Sequence, residues 1–483
     1  MPNPGADPSR ASLPPATARI IDSEATDART SGADAIRYAR GTMPILAVRR
    51  WADLDAAEQA RLLARSTAAI FEPGLQRSID ALFADVRARG DAAVLDATER
   101  FDGVRFGPGE LRVRPEELTA AHAAADPALL AGIREAIRNS RLFNEAQVRA
   151  TAIGWLAEVR PGFELGEQVA PIPSAGLYVP AGKGSFPSVL VQIGVPAVVA
   201  GVPEIAVLVP PMPGTGAVDP ATLAVAHELG LAAVFRANGP AGIAALTFGT
   251  ATFPRVRKIV GPGSPAVTAA QVLAQRFGTA TNMLCGPSES LLLADATADP
   301  WRLALDLVNE AEHGTDSAAL LVTDAPGLVP ALEAAVVEHV SALPEPRRGY
   351  ATAVLGDLGG VLLFDTMAEA IAFANEYAAE HLQVATADPE ATLRDLRYAG
   401  EVLLGQDTPI GASSYSIGIP ATLPTGGFAK LNGGVTARTF QTTASIARLT
   451  PEALAGLAGP TIALADHEGF PAHANAFRGR GLG

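Results

Sequence analysis

The chain has 483 residues, enough for two or three domains with separate hydrophobic cores. Its formal net charge is -14 and 48% of its residues are apolar, which suits an α/β enzyme and argues against nucleic acid and acidic membrane surfaces as partners. The single cysteine, Cys285, excludes an intramolecular disulfide and fits a reducing compartment, so a cytoplasmic location is expected.

Residues 1–43 are rich in Pro, Ala, Asp, Ser and Thr, and lack a charged start followed by an apolar block. They read as a mobile arm with no secretory signal. Ala57 to Ala69 and Leu75 to Arg89 carry helical spacing of Leu, Ile and Val against Arg, Asp and Glu. From Ala175 onward, short apolar runs end in Gly/Pro loops: Gly176-Leu-Tyr-Val-Pro180, Glu204-Ile-Ala-Val-Leu-Val-Pro210, Ala233-Val-Phe-Arg-Ala-Asn-Gly239 and Lys258-Ile-Val-Gly-Pro262. The most apolar stretch, Ser188 to Pro211, is cut by Gln192, Pro196, Pro203 and Glu204 and so cannot span a membrane, which takes ~20 uninterrupted apolar residues. A second set of runs follows at Leu291–Ala294, Leu320–Thr323 and Val402–Gly405. Strand-like runs alternating with helical stretches predict parallel sheets with crossover helices, with ligands at the carboxyl ends of the strands.

The clearest single element runs from Asp299 to Gly314, with Asp299 as N-cap, Pro300 at the first helical position and Gly314 as the stop. Leu303, Leu307 and Ala311 form one stripe, while Asp306, Glu310 and His313 share another face. A carboxylate and an imidazole one turn apart can chelate a cation; the competing reading is a solvated face ending in a histidine that suits the helix dipole. Further on, Asn375 to Leu382 reads as a helix C-terminus carrying Glu380 and His381. An imidazole is the natural general base near neutrality, and a carboxylate beside it can tune it or activate water. Glu468 and His473 complete the set of acid and imidazole side chains that no core requires.

Taken together, Gly176-Leu-Tyr-Val-Pro180, Gly261-Pro-Gly263, Gly286-Pro-Ser-Glu289, Glu312-His-Gly314, Glu380-His-Leu382, Leu423-Pro-Thr425 and Ala472-His-Ala-Asn475 resemble, in order and spacing, the histidinol dehydrogenase family from about residue 60 to 476. The resemblance implies a homodimeric, zinc-dependent NAD enzyme that oxidises a primary alcohol to the aldehyde and then to the acid. It assigns Glu380 and His381 to catalysis, Glu310, His313 and His473 to the metal, Ser288, Glu468 and Ser414 to the substrate, and the positions of Tyr178, Ala241 and Ser264 to the dinucleotide. The expected fold is α/β, with two doubly wound Rossmann-like units, an N-terminal helical arm and a C-terminal dimerisation tail. Residues 44–174 and 289–425 would form the catalytic and metal-binding domain, 175–288 the dinucleotide domain, and 426–483 a tail that crosses to the partner subunit.

The departures from the family pattern are informative. Glu310 stands where the family carries a metal-binding Gln, Ser414 where it carries a metal-binding Asp, and Ala421 where a His contacts substrate. Ala241 and Ser264 replace a Gln and an Asn at the cofactor site. Two function classes follow. One is a zinc- and NAD-dependent dehydrogenase of a small polar amino alcohol other than histidinol. The other is a non-redox zinc enzyme that uses Glu380 and His381 for acid/base chemistry after losing NAD binding.

Overall fold

The computed structural model describes residues 45–64, 69–150, 154–181 and 184–482; the arm expected at 1–43 lies outside the described residues. Two all-parallel sheets and one small antiparallel sheet organise the chain. The first parallel sheet has six strands, β1 (Val48–Arg50), β9 (Glu289–Ala294), β10 (Ala318–Thr323), β11 (Gly360–Leu363), β12 (His381–Ala385) and β13 (Glu401–Leu404), in the order β1-β11-β10-β9-β12-β13. The second has five, β4 (Ser174–Tyr178), β5 (Glu204–Val209), β6 (Val234–Arg236), β7 (Lys258–Val260) and β8 (Ala280–Thr281), in the order β6-β5-β4-β7-β8.

These strands read as unbroken apolar runs because both faces of each sheet are covered. Along β9, Leu292 and Ala294 pack into one cluster with the helices Pro300–Ala311, Val329–Ala342 and Arg347–Gly356. Leu291 and Leu293 pack into the opposite cluster with the helix Met367–Tyr377. In the five-stranded sheet, Leu177 and Val207 face the helices Pro187–Val199 and Pro220–Glu228, while Leu208 and Ile259 face Gly239–Phe248 and Pro265–Ala274.

The expected domain boundaries need two corrections. Residues from the helices Pro73–Arg89 and Asp91–Asp102 join the core of the five-stranded sheet, and so do Leu118 and Ile133 from the two helices that follow. Among the described residues of 45–150, it is β1, Leu46 and residues up to the helix Ala56–Ala64, such as Leu62, that join the six-stranded sheet. A helical pattern reveals that one face is apolar, but not which sheet it covers. The second correction concerns the hairpin of β2 (Trp155–Arg160) and β3 (Phe163–Pro171), which pairs antiparallel with β14 (Gln441–Leu449) from the tail. The order β14-β3-β2 ties the tail to a segment almost 300 residues earlier.

Gly261 shows how tightly the strand ends are packed. Its φ is +140°, and a Cβ there would meet the Tyr178 carbonyl oxygen at 2.0 Å, so only glycine fits where β7 passes the end of β4.

Candidate active site

The helix Pro300–Ala311 starts as its sequence predicts, with the Asp299 carboxylate accepting from the Trp301 amide at 2.9 Å. Leu303, Leu307 and Ala311 are buried, and so is the polar row of Asp306 and Glu310. The solvated-face reading of that row is therefore wrong. Asp306 accepts from Gln383 Nε2 of β12 at 2.8 Å and from the Ile410 amide at 3.2 Å, which pins the helix to two other segments. Glu310 is 1% exposed and its Oε1 makes no hydrogen bond. The nearest imidazole, His313 beyond the helix end, has Nδ1 3.5 Å from that oxygen and 3.2 Å from the Glu310 carbonyl oxygen.

Glu380 and His381 are not on a helix. The helix Met367–Tyr377 ends at Ala378, which turns left-handed at φ +50°, and His381 is the first residue of β12. No glycine or proline marks this turn, so the helical pattern runs on past its true end in the sequence. An alanine in this conformation costs about 1 kcal/mol and is held by the packing around it.

A run of hydrogen bonds joins the motifs. The Gly286 amide donates to Thr425 Oγ1 at 2.5 Å, and the Gly426 amide donates to Glu289 Oε1 at 2.9 Å. The Glu289 amide donates to Glu380 Oε2 at 3.1 Å. Glu380 Oε1 lies 3.9 Å from His381 Nε2, and on the far side of the ring Nδ1 meets Glu401 Oε1 at 2.5 Å. Glu401 Oε2 in turn accepts from Ser413 Oγ at 2.5 Å.

Glu289, His381 and Glu401 are the first residues of β9, β12 and β13, so this cluster sits at the amino ends of three parallel strands. Glu401 and Ser413 are additional polar members of the cluster that motif spacing missed. The one available signal was a Glu opening the apolar run Glu401–Leu404, where burial of a lone carboxylate demands a partner.

The electrostatics follow from the crowding. Burial, then the charges of Glu310 and Glu289, push the Glu380 carboxyl well above its ordinary range against the pull of His381. Burial opposes a charged His381, but the Glu401 hydrogen bond and the Glu380 and Glu310 charges outweigh it, and the imidazole is pushed up to about 10.

The remaining expected residues are spread more widely. Ser288 is half-buried immediately before β9, its carbonyl accepting from the Ala318 amide at 3.0 Å. Ser414 donates its hydroxyl to the Ile410 carbonyl at 3.1 Å and accepts on its own carbonyl from Gln192 Nε2 at 2.7 Å. Gln192 Oε1 also accepts from the Ala421 amide at 3.0 Å, so this glutamine of the five-stranded lobe holds the rewritten segment in place.

Glu468 and His473 are exposed on the tail, with the His473 ring edge-on to Phe470. Among the described residues no group of three His, Cys, Asp or Glu side chains is placed to hold a metal ion. Within one chain, His473 therefore does not join Glu310 and His313.

At the carboxyl ends of β4, β6 and β7, Tyr178, Asn238 and the loop Gly261-Pro-Gly263-Ser264 converge. Tyr178 is 4% exposed; a Cβ at Gly239 would reach its hydroxyl at 2.9 Å and one at Gly263 its ring at 3.1 Å. Burial and the nearby Asp102 push its hydroxyl upward. Ala241 is fully buried in the core, with its amide donating to Asn238 Oδ1 at 3.4 Å, and Ser264 leads a helix without capping it.

The raised His381 and Glu380 make stability pH-dependent with a definite sign. Both folded-state values lie above their ordinary 6.5 and 4.5, so the native state holds protons that the unfolded chain releases. The stabilisation from His381 is fully present below about pH 6.5 and is lost as pH rises through about 10. Urea unfolding of chelator-treated protein should show stability falling by up to about 1 kcal/mol per pH unit between roughly pH 7 and 9, with His381→Gln flattening the slope. A wild-type curve that is flat or rising over that interval would contradict the charged imidazole.

The family model described as histidinol dehydrogenase matches residues 66–481. A histidinol dehydrogenase from Synechocystis is 42% identical over 395 residues, covering 82% of this chain and 90% of its own. A protein named histidinol dehydrogenase homolog from Colwellia psychrerythraea is 40% identical over 435 residues, covering 89% and 95%. The crystal structure of histidinol dehydrogenase from Elizabethkingia anophelis superimposes with a TM-score of 0.84 at 31% identity, covering 90% of this chain and 98% of that one. With the match running nearly end to end in both sequence and fold, this chain belongs to the histidinol dehydrogenase family.

Proposed function

We propose that the chain is a zinc-dependent, NAD-linked dehydrogenase that oxidises a small polar amino alcohol to the aldehyde and on to the acid, with a substrate other than histidinol. The observation that carries this reading is the buried His381, with Nδ1 bonded to Glu401 and Nε2 turned toward Glu380. Family membership supports the reaction class. Ser414 and Ala421 lie in the segment where the family pattern is most rewritten, which supports a changed substrate. Three buried acids, Glu310, Glu380 and Glu401, act on one imidazole, with Glu289 acting through Glu380, and this acidic cluster favours a substrate that brings an ammonium group.

The donor set fits zinc. Glu310 Oε1 is a buried oxygen without a hydrogen bond, His313 is adjacent, and a carboxylate with imidazoles is a common zinc ligand set. Ser414 spends its hydroxyl proton on Ile410, which leaves that position to water or substrate. When bound, zinc polarises the alcohol oxygen and offsets the carboxylate charge around it. His381 Nε2, once neutral, takes the alcohol proton and Glu380 orients the water that hydrates the aldehyde, while NAD, if bound, would accept the hydride of each oxidation.

For the dinucleotide, the chain offers backbone amides at the starts of the helices Gly239–Phe248 and Pro265–Ala274, with Ser264 Oγ uncommitted as a cap. The sealed Tyr178 ring and the core position of Ala241 favour the second reading, a non-redox zinc enzyme using the same Glu380 and His381.

The exposed tail residues Glu468 and His473 complete the site of a second copy in this reading. Exposed apolar side chains on the antiparallel sheet and tail, including Trp155, Val159, Ile446, Leu464 and Phe470, suit burial against that copy. Light scattering should give a dimer, and removing residues 466–483 should abolish activity while leaving the fold largely intact. An active monodisperse monomer would refute the shared site.

Protein purified without chelator should contain zinc, and Glu310→Ala or His313→Ala should lose both the metal and its contribution to the melting temperature. Metal-free protein that gains no thermal stability from added zinc overturns the metal assignment.

The chemistry is tested by kinetics with a panel of amino alcohols. His381→Ala should lower turnover roughly 10²–10⁴-fold, and Glu380→Ala should slow the aldehyde half more than the alcohol half. If calorimetric titration of zinc-loaded protein finds no binding of NAD or NADP, the non-redox reading replaces the dehydrogenase.

A further inference from the structure

The cluster contains a carboxylate and a hydroxyl for which the reaction outlined above has no role. Glu401 opens β13, 7% exposed, and is reached from two sides: His381 Nδ1 at 2.5 Å on Oε1 and Ser413 Oγ at 2.5 Å on Oε2. Parallel pairing of β12 with β13 sets His381 directly opposite Glu401, so the contact is fixed by strand register and not by a loop. Ser413, 2% exposed, arrives from the segment between β13 and Leu423 and takes up the second carboxylate oxygen.

A carboxylate on one ring nitrogen of a histidine determines which nitrogen keeps the proton. In the neutral ring, with Nδ1–H donated to Glu401, Nε2 is the nitrogen with the free lone pair, and it is Nε2 that faces Glu380. The same charge stabilises the imidazolium that forms when the ring accepts a proton.

We propose that Glu401 is the positioning residue for His381, holding its Nδ1 proton so that Nε2 is the base, and that Ser413 locks Glu401 in that orientation. This rests on His381 being the base of the reaction proposed above. The titratable groups facing His381 are Glu401 from β13, Glu380 from its own segment and Glu310 from the helix Pro300–Ala311, with Glu289 of β9 acting through Glu380. Of these, only Glu401 is hydrogen-bonded to the ring.

The substitution that separates this role from packing is Glu401→Gln. It keeps the side-chain shape, an oxygen to accept from Nδ1 and an amide to donate to Ser413, but removes the charge. In full-length protein as purified, labelled at histidine Cε1, the His381 resonance is identified by its loss in His381→Gln. Its titration midpoint in Glu401→Gln should lie at least about one pH unit below wild type. In turnover, kcat should fall about 10- to 10³-fold with KM within about threefold, and the acid limb of the pH profile should move down with the midpoint.

Ser413→Ala, which removes a single hydroxyl, should show the same changes at a few-fold in kcat and provides the second variant if Glu401→Gln folds poorly. Unchanged midpoints in both variants overturn the proposal, as does a loss of kcat with no movement of the acid limb. If wild-type protein reduces neither NAD nor NADP with any alcohol, the dehydrogenase reading falls, and the titration midpoints still decide between a positioned and an unpositioned His381.

Discussion

Burying charge around His381 is the constraint on which the rest of this structure depends. A carboxylate removed from water is costly unless every oxygen meets a donor or an opposite charge, so each acid in the cluster recruits a different part of the chain. Glu289 draws in Gly426, Glu380 takes the Glu289 amide, and Glu401 takes both His381 and Ser413. These contacts bring together residues up to 137 positions apart in sequence. The exception is Glu310 Oε1, which is buried without a hydrogen bond.

The sheets make this arrangement rigid. Strand register sets His381 against Ser290 on one side and Glu401 on the other, while Gln383, two residues along β12, holds Asp306 of the helix Pro300–Ala311. A half-ångström drift of the base would therefore require a six-stranded sheet, covered on both faces, to shift. The one conformationally costly residue nearby, Ala378, sits in the turn that delivers Glu380 and His381 to the strand. Local strain of that kind is sustained by the packing around it.

The two lobes are joined by polar ties to the rewritten segment around Ser414. Gln192 bonds to Ser414 and Ala421. His381 itself is set by the register of β12 against β13, and from this segment Ser413 reaches its partner Glu401.

Much of this was legible in the sequence. Continuous apolar runs closed by Gly/Pro loops announced parallel strands, since strands buried on both faces have no polar alternation to show. Asp299, Pro300 and the Leu303–Leu307–Ala311 stripe announced one helix because capping and periodicity are local effects. Ordered motifs placed Glu380, His381 and His313 in one family's pattern, with Glu310 a departure from it. What only the tertiary structure decided is which distant residues share a pocket. The helices of residues 73–150 joined the second sheet, the hairpin Trp155–Pro171 joined the tail, the turn at Ala378 ended a helix that the pattern continued, and Glu401 and Ser413 became partners of His381 through register and burial. Local propensity carries no information about pairings across tens or hundreds of residues; those are settled by which surfaces bury apolar area together and which buried charges find a partner.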